Sequence, residues 1–256
     1  PIMMNRYQKS LKKQKEQKRQ NRYKKYIDMK MEEIDRVMEK QKNTLRENYI
    51  TPEECGKIVV NKDSRLWERK VDDYDFLNIR LGLGDVDLDA EIIYPEEKFT
   101  MEDDNLVDIL NQVVNKSKTI ENAPITLSLM EKNNSAIIEK NENMMNKFIQ
   151  GIMMQLITFH SYEDLKLVFL LKNRSTSKWD YVKNFPHIWD NTKQFRFFAT
   201  SFSEMLEISK YLEEEFQNRE VLSSNNEHTT ALPYYLIITD DPERVKNLTG
   251  ITEICR

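Results

Sequence analysis

The segment from Ser135 to Leu171, SAIIEKNENMMNKFIQGIMMQLITFHSYEDLKLVFLL, has the layout of a βαβ unit of the kind that binds nucleotides. Ala136 to Ile138 predict a buried strand, Met144 to Thr158 predict the following helix, and Leu165 to Leu171 predict the next parallel strand. A phosphate-binding loop needs glycines for its backbone N–H groups, a lysine for the phosphate oxygens and a Ser or Thr hydroxyl for Mg²⁺. The residues between the first strand and the helix do not supply that pattern.

Strands and helices continue to alternate after this unit. The sequence predicts strands at Phe195 to Ala199, Tyr234 to Thr239 and Ile251 to Ile254. It predicts a helix from Ser203 to Leu222, with its first residue as the N-cap, and a loop from Ser223 to Thr230. This alternation is typical of an α/β fold in which helices flank a parallel sheet.

A small β-rich portion is predicted before the βαβ unit. Ile58 to Asn61, Phe76 to Leu81 and Glu91 to Tyr94 are expected to be short strands, and Gly82 to Asp85 are expected to form a turn. The apolar spacing of Asp103 to Lys118 predicts an amphipathic helix.

A hairpin is expected to lead directly into the βαβ unit. Its strands would be Ile125 to Met130 and Ser135 to Glu139, and its turn would be Lys132 to Asn134.

A long helix is predicted at the N-terminal end. From Asn5 to Asn48 there is no Gly or Pro, and good helix formers dominate. About 44 helical residues would reach roughly 65 Å, which is longer than a small domain is wide. We expect a stalk that either extends from the globular part or folds back on it, and that ends at Thr51-Pro52 because the residue before proline avoids helical geometry. One packing stripe is expected on it, formed by Tyr23, Ile27, Met31, Ile34, Met38, Gln41 and Leu45.

Charge is distributed unevenly along the 256 residues, although the net charge is only -4. Residues 1–25 contain ten Lys or Arg and one Glu, so the rest of the chain is acidic. A basic run after a few apolar residues is typical of the cytoplasmic side of a membrane helix, where anionic lipid headgroups attract it. We expect Pro1 to Met4 to be the end of a transmembrane segment. The alternative is a nucleic-acid-binding helix, but Tyr7, Tyr23 and Tyr26 do not form a repeated stacking pattern.

The sequence gives little evidence for disulfides, a metal site or a catalytic triad. Cys55 and Cys255 are too few for a disulfide framework and have no second ligand at metal spacing, so we expect no metal site and a reducing compartment. The three histidines, His160, His187 and His228, lie in unlike contexts and suggest no triad. His160 follows a predicted helix, where a structural role is expected. An aromatic loop, bounded by Trp179 and Trp189, could serve core packing or docking.

Several motifs follow one another in order along the chain: Leu66–Arg69, Asp73–Gly84, Phe159–Ser161, Asp164–Lys166, Trp179–Lys183, Pro186–His187, Leu232–Asp241 and Gly250–Ile254. Together they resemble the EssC/EccC membrane ATPases of type VII secretion, which are part of the FtsK/SpoIIIE group. The resemblance runs from about residue 60 to the end of the chain.

The resemblance implies the membrane-proximal domain that precedes the motor domains of this family, with a P-loop NTPase-like (RecA-like) sheet that lacks a functional P-loop. It divides the chain into a juxtamembrane stalk helix, 1–50, and a degenerate ATPase-like domain, 51–256, made of a β-rich portion, 51–100, and an α/β core, 101–256. The glycine positions of the phosphate loop would fall on Glu139, Glu142 and Met144, the lysine position on Met145 and the hydroxyl position on Asn146. Glutamates at such positions repel phosphate, so we expect no ATP binding and no catalytic residue.

Asp240 and Asp241 stand where Walker B carboxylates would follow their strand. Without a phosphate-bound metal they are expected only to cap the strand and open a turn at Pro242. A weak, atypical ATPase that uses these two carboxylates with Lys140 or Lys147 is the first alternative. A DNA-translocase-related module is the second.

The resemblance also implies partners. These are the protein's own transmembrane helices and downstream ATPase domains, other membrane components of the secretion system, and anionic headgroups near residues 1–25. Oligomerisation in the full-length protein, a place on the cytoplasmic side of the bacterial membrane and no nucleic-acid partner are expected as well.

Overall fold

The computed structural model describes residues 2–91, 119–132, 134–223 and 232–252. Within these ranges the protein is mixed α/β. The predicted helix from Asp103 to Lys118, most of the predicted strand from Glu91 to Tyr94 and the predicted loop beyond Ser223 lie outside them. The helices are α1 (Ile2–Asn48), α2 (Pro52–Asn61), α3 (Glu142–Phe159), α4 (Phe202–Ser223), α5 (Pro242–Val245) and α6 (Thr249–Thr252), with 3-10 segments at Asn173–Asn184 and Pro186–Ile188. The strands are β1 (Asn78–Asp87), β2 (Thr119–Ser128), β3 (Leu165–Leu170), β4 (Phe198–Ala199) and β5 (Tyr234–Thr239).

The chain forms two compact units. The first contains residues 1–49 and 81–125, and the second contains residues 50–80 and 126–256. The two-stranded sheet of β1 and β2 contributes residues to both. The domain boundary expected at residue 50 stays a prediction.

Helix α1 confirms the long helix expected from the sequence. The described side chains from Met4 to Arg22 are exposed, whereas the predicted stripe is the more buried face of the second half, in which Ile27 is buried and the other six residues are half-buried. Gln41 of this stripe donates to the Asp87 carbonyl at 3.1 Å and accepts from the Asp89 N–H at 2.9 Å. The stripe is therefore a packing surface of the first unit, as its spacing predicted.

The second unit is built on a parallel sheet in the order β4-β3-β5. Central strand β3 is fully buried and pairs with all six residues of β5, from Leu165 opposite Tyr234 to Leu170 opposite Thr239. The predicted parallel strand is thus confirmed. One apolar core forms where β3, β5, α4 and α6 meet, and it contains Val168, Leu170, Phe197, Ala199, Met205, Ile208, Leu212, Val245, Leu248 and Ile251.

The predicted strand at Ala136 to Ile138 is wrong. These residues lie in irregular exposed backbone, with Ile138 94% exposed. A run of three apolar residues between polar neighbours offers too little burial to hold a strand in a sheet. The predicted hairpin fails for the same reason, because Ser135 to Glu139 form no second strand and β2 instead pairs with β1.

Ile58 to Asn61, predicted as a strand, are the last turn of α2. Thr51 is the N-cap of this helix, and a capping box joins its side chain to Glu54, while Pro52 takes the first helical position. The helix-start signal at Thr51 therefore outweighed the strand preference of the β-branched residues near the end of α2. The strand expected at Phe76 to Leu81 begins later, at Asn78.

The glycine pair predicted as a turn lies within β1. A Cβ on Gly84 would collide with the Ile125 side chain of β2, so glycine here allows a close approach within the sheet rather than a chain reversal.

Two further predictions, the N-cap of α4 and a strand at Ile251, differ from the structure. Ser201, not Ser203, caps α4: its hydroxyl accepts from the Glu204 N–H at 3.3 Å, and the Glu204 carboxylate accepts from the Ser201 N–H at 2.9 Å. Ile251, expected in a strand, lies in α6, where Gly250 N–H donates to the Ser209 hydroxyl at 3.2 Å.

Candidate functional site

The expected phosphate-loop positions lie along the irregular segment before α3 and in its first turn. Asn141 is the N-cap, and its side-chain oxygen accepts from the N–H groups of Asn143 at 3.1 Å and Met144 at 3.2 Å. The Met145 N–H donates to the Asn141 carbonyl at 3.0 Å. The Asn141 N–H donates to the Glu139 carboxylate at 2.8 Å. The backbone N–H groups that a phosphate would need therefore already donate to oxygens of the protein itself.

Charge at this helix start also opposes a phosphate. Glu139 and Glu142 are exposed, and Glu142 forms an ion pair with Lys178. Next to them a depression of about 380 Å³ is lined by Asn143, Asn146, Lys147, Gln150 and Lys178. Its lysines give it some capacity for an anion, but one of them already has a carboxylate partner.

Asp240 and Asp241 follow β5 as predicted, at the carboxyl ends of the parallel strands. Asp240 accepts from the Lys172 N–H, which follows β3, at 2.7 Å. Asp241 is 6% exposed, and its carboxylate lies 3.2 Å from Arg244 Nε and 3.9 Å from Lys172 Nζ. The pair thus ties together the ends of two strands and the start of α5, and its charge is balanced by neighbouring cations.

A buried histidine pair joins the end of α3 to the Pro186–Ile188 turn. His160 Nε2 accepts from the Leu77 N–H and its Nδ1 donates to the Leu156 carbonyl, both at 3.0 Å. His187 Nε2 donates to the His160 carbonyl at 2.9 Å. Burial lowers the pKa of His160 to about 3 and that of His187 to about 4. Both rings are neutral, so His160 stabilises the helix end by hydrogen bonds and not by charge.

The aromatic loop is mainly core. Trp179 is buried, and its ring centroid lies 5.5 Å from that of Phe169 on β3. Trp189 is half-buried under Arg196, whose guanidinium carbon is 4.9 Å from the ring centroid. These contacts favour the packing interpretation over docking.

Two residues of this region were missed from the sequence. Asn141 could have been found, because an Asn three residues before an apolar helical run is an N-cap signal. Lys172 could not, since its contact with Asp240 spans 68 residues and depends on the pairing of β3 with β5.

The described part of the chain contains no cluster of three or more His, Cys, Asp or Glu side chains that could hold a metal ion. None of the described helices combines the length and the apolar character needed to cross a membrane.

Comparison with known proteins found type VII secretion proteins. The chain is 26% identical over 223 residues to the "Type VII secretion system protein EssC" of Staphylococcus aureus, which covers 86% of this chain and 15% of that protein. The chain is thus similar to EssC/EccC type VII secretion system proteins over most of its length. It is also 26% identical over 166 residues to the "ESX secretion system protein EccC" of Geobacillus thermodenitrificans, covering 64% of this chain and 11% of that protein. No protein-family model matches it.

The aligned part is thus a small share of these relatives. The resemblance noted from the motifs between Leu66 and Ile254 is confirmed by this similarity.

Proposed function

We propose that the chain is a non-catalytic coupling domain of a type VII secretion motor, which links membrane helices to downstream FtsK/SpoIIIE-type ATPase domains and supports assembly. The observation that carries the proposal is the capped start of α3. Four backbone N–H groups at this helix start, those of Asn141, Asn143, Met144 and Met145, already donate to oxygens of Glu139 and Asn141. A ligand would have to displace both, and then meet the negative charge of the glutamates.

The proposal includes a P-loop NTPase-like ancestry of the fold. The parallel pairing of β3 with β5, the helix α3 that leads into β3, and the two aspartates after β5 support it. Met145 and Asn146 would then occupy the positions of the lost lysine and hydroxyl. Asp241, held by Arg244 and Lys172, would be a structural remnant rather than a water-orienting group.

The basic half of α1 supports attachment at a membrane. The side chains from Arg6 to Arg22 are exposed, and most of the positive charge of residues 1–25 is therefore free to face anionic headgroups on the cytoplasmic side. Secretion components and the protein's own transmembrane helices are the proposed neighbours, with oligomerisation in the full-length protein.

Equilibrium titration with labelled ATP and Mg²⁺ tests the central point. We expect no saturable binding at micromolar nucleotide, and no difference between the unaltered chain and Asp240→Asn. Micromolar binding that Asp240→Asn abolishes would overturn the proposal.

A weak ATPase is the second candidate, and the depression that contains Lys147 favours it. It predicts that Lys147→Ala removes whatever nucleotide affinity the chain has, while Lys12→Ala on the exposed part of α1 leaves that affinity unchanged. For a DNA-translocase role, retardation of duplex DNA at low salt that weakens steeply with added salt would be required. We expect no such retardation, because the body of the chain is acidic.

A further inference from the structure

Residues 66–80 contact the carboxyl end of α3. They contain the motif Leu66–Arg69 and the start of the motif Asp73–Gly84, neither of which belongs to the site at the other end of that helix. The last carbonyls of a helix have no partner within it and need donors from elsewhere. Here three donors come from this one segment: the Trp67 N–H to the Thr158 carbonyl at 2.7 Å, Trp67 Nε1 to the Ile157 carbonyl at 3.2 Å, and the Arg69 N–H to the Phe159 carbonyl at 3.0 Å.

The second half of the segment is bound to α3 by two buried side chains. His160, directly after the helix, accepts from the Leu77 N–H at 3.0 Å. Gln155 accepts from the Arg80 N–H at 2.8 Å and donates to the Arg80 carbonyl at 3.0 Å. Both side chains are almost fully buried. Each bond therefore pairs polar groups that are costly to leave unsatisfied, because water does not replace a lost partner there.

Arg69 joins the two halves of the segment to each other and to the helix. Its side chain is buried and forms an ion pair with Asp75, in which Nε lies 2.9 Å from the carboxylate. Its Nη1 donates to the Asn78 carbonyl at 2.6 Å. The guanidinium carbon lies 4.2 Å from the ring centroid of Phe159, the last residue of α3. Loss of one of these contacts leaves a buried charge less well compensated, so the three contacts depend on one another.

Helix α2 packs on the same part of α3. An apolar cluster joins the two helices to the start of the segment, and it contains Ile50, Cys55, Ile58, Leu66, Met154 and Phe159. The helices also approach closely at Gly151, because a Cβ there would lie 3.1 Å from Cγ of Pro52. Helix α2, residues 66–80 and residues 151–159 of α3 thus share one set of contacts, and we call them the clamp module.

The clamp module holds two of the places where the chain passes between the two compact units. These crossings follow residues 49, 80 and 125, and the first two are the ends of residues 50–80. Thr51, the N-cap of α2, stands close to the first crossing, and Arg80, bound to Gln155, stands at the second. Both crossings are therefore attached to the same helix, α3.

We propose that the clamp module opens as one cooperative unit, so that the two chain crossings at its ends respond together. Contacts that depend on one another open together and form a sub-global unit of stability. This cooperative behaviour rests on the contacts alone. Its use to couple a membrane-side helix to motor domains rests on the proposed function, since α1 continues along the chain into this module.

Amide hydrogen exchange of the full 256-residue chain, followed by NMR, tests the proposal. Thr51→Ala removes the capping box of α2. We expect the amides of Leu77 and Arg80 to exchange about fivefold faster in this variant, because the whole module loses the stability of one helix cap. Both amides donate to α3 or to the residue after it, so a change in their rates reports coupling to α2 across the module. Asn141→Ala removes the cap at the other end of α3, and this matched control should leave both rates unchanged.

A second variant perturbs the module from its opposite side. Trp67→Phe removes the hydrogen bond to the Ile157 carbonyl and keeps an aromatic ring. Exchange in α2, in residues 66–80 and in the last turn of α3 should rise together, by about threefold or more, while the amides of β5 and α4 keep their rates. Trp189→Phe makes the same chemical change at a half-buried side chain outside the module, and it should leave the rates of the module unchanged.

Two results would overturn the proposal. One is unchanged exchange of Leu77 and Arg80 in a folded Thr51→Ala protein, which would mean that α2 opens separately. The other is an acceleration of β5 and α4 as large as that of the module, in either variant, which would mean that the second unit opens only as a whole. ATP binding in the titration described above would contradict the non-catalytic role and would leave these exchange rates unaffected, so the two failures are distinguishable.

Discussion

Mild acid should destabilise the second unit, because His160 and His187 are buried there as neutral rings. His160 uses its unprotonated Nε2 to accept from the Leu77 N–H, and His187 donates through Nε2 and so leaves its buried Nδ1 without a proton or a partner. Protonation of either ring would place a charge where water cannot reach it.

The two pKa values determine whether the protein gains or loses stability as pH falls. Burial lowers the pKa of His160 to about 3 and that of His187 to about 4, whereas an unfolded histidine has an ordinary pKa of about 6.5. The unfolded chain thus binds more protons as pH falls below 6.5. The stabilisation from neutral burial is complete above that pH and is lost progressively as pH falls toward the folded values.

The size of the effect can be estimated at pH 5, about 1.5 pH units below the unfolded pKa. At about 1.4 kcal/mol per unit, each ring contributes a loss of about 2 kcal/mol and the pair contributes about 4 kcal/mol. That is a large part of the 5 to 15 kcal/mol by which a typical domain is stable. Carboxylates act at lower pH, because backbone hydrogen bonds from Thr51 and Thr200 lower the pKa values of Glu54 and Glu204.

Urea unfolding followed by tryptophan fluorescence at pH 7.5, 6.5, 5.5 and 5.0 would measure this loss. The free energy of unfolding should fall by about 4 kcal/mol between the first and the last value, with little change in the denaturant slope. His187→Gln should show about half of that pH dependence. A loss below about 1 kcal/mol in the unaltered chain would refute the assignment of both rings as neutral and buried.

Three substitutions, with a fourth as a control, test a helix cap, a packing contact and a buried ion pair. Asn141→Ala should cost about 1 kcal/mol in urea unfolding by removing the cap of α3, and it should create no ATP affinity; gain of ATP binding would contradict the account of the site. Gly250→Ala should cost about 1 to 3 kcal/mol, because its new Cβ would collide with the backbone of α4, and an unchanged melting curve would contradict that contact. Arg69→Met removes the partner of Asp75 at 2.9 Å in a buried pair and should cost about 3 kcal/mol, whereas Lys70→Met, at an exposed side chain, should cost less than about 1 kcal/mol; equal losses would contradict the difference in burial.

Regular patterns gave correct predictions for the longest elements. The stripe from Tyr23 to Leu45 correctly predicted the buried face of α1, and Met144 to Thr158 lie within α3. The apolar runs of β3 and β5 predicted two strands that pair in parallel. Such segments are long enough for burial of one face or of the whole strand to decide their conformation.

The predictions for short segments were wrong, because a few residues are compatible with more than one secondary structure. Ile58 to Asn61 have the composition of a strand, but the capping box at Thr51 starts a helix that includes them. Ala136 to Ile138 have the composition of a strand too, yet they make no pairing in the described structure.

The sequence by itself determined the absence of a glycine-rich phosphate loop, the basic start of α1 and the alternation that predicts an α/β protein, because these depend on residue identity and local spacing. The tertiary structure alone decided that oxygens of Asn141 and Glu139 accept from the N–H groups at the start of α3, that Lys172 and Arg244 balance Asp241, and that β5 pairs with β3. The physical reason is that hydrogen bonds between distant segments and the pairing order of strands depend on the packed arrangement of the chain. Local propensity carries no information about either.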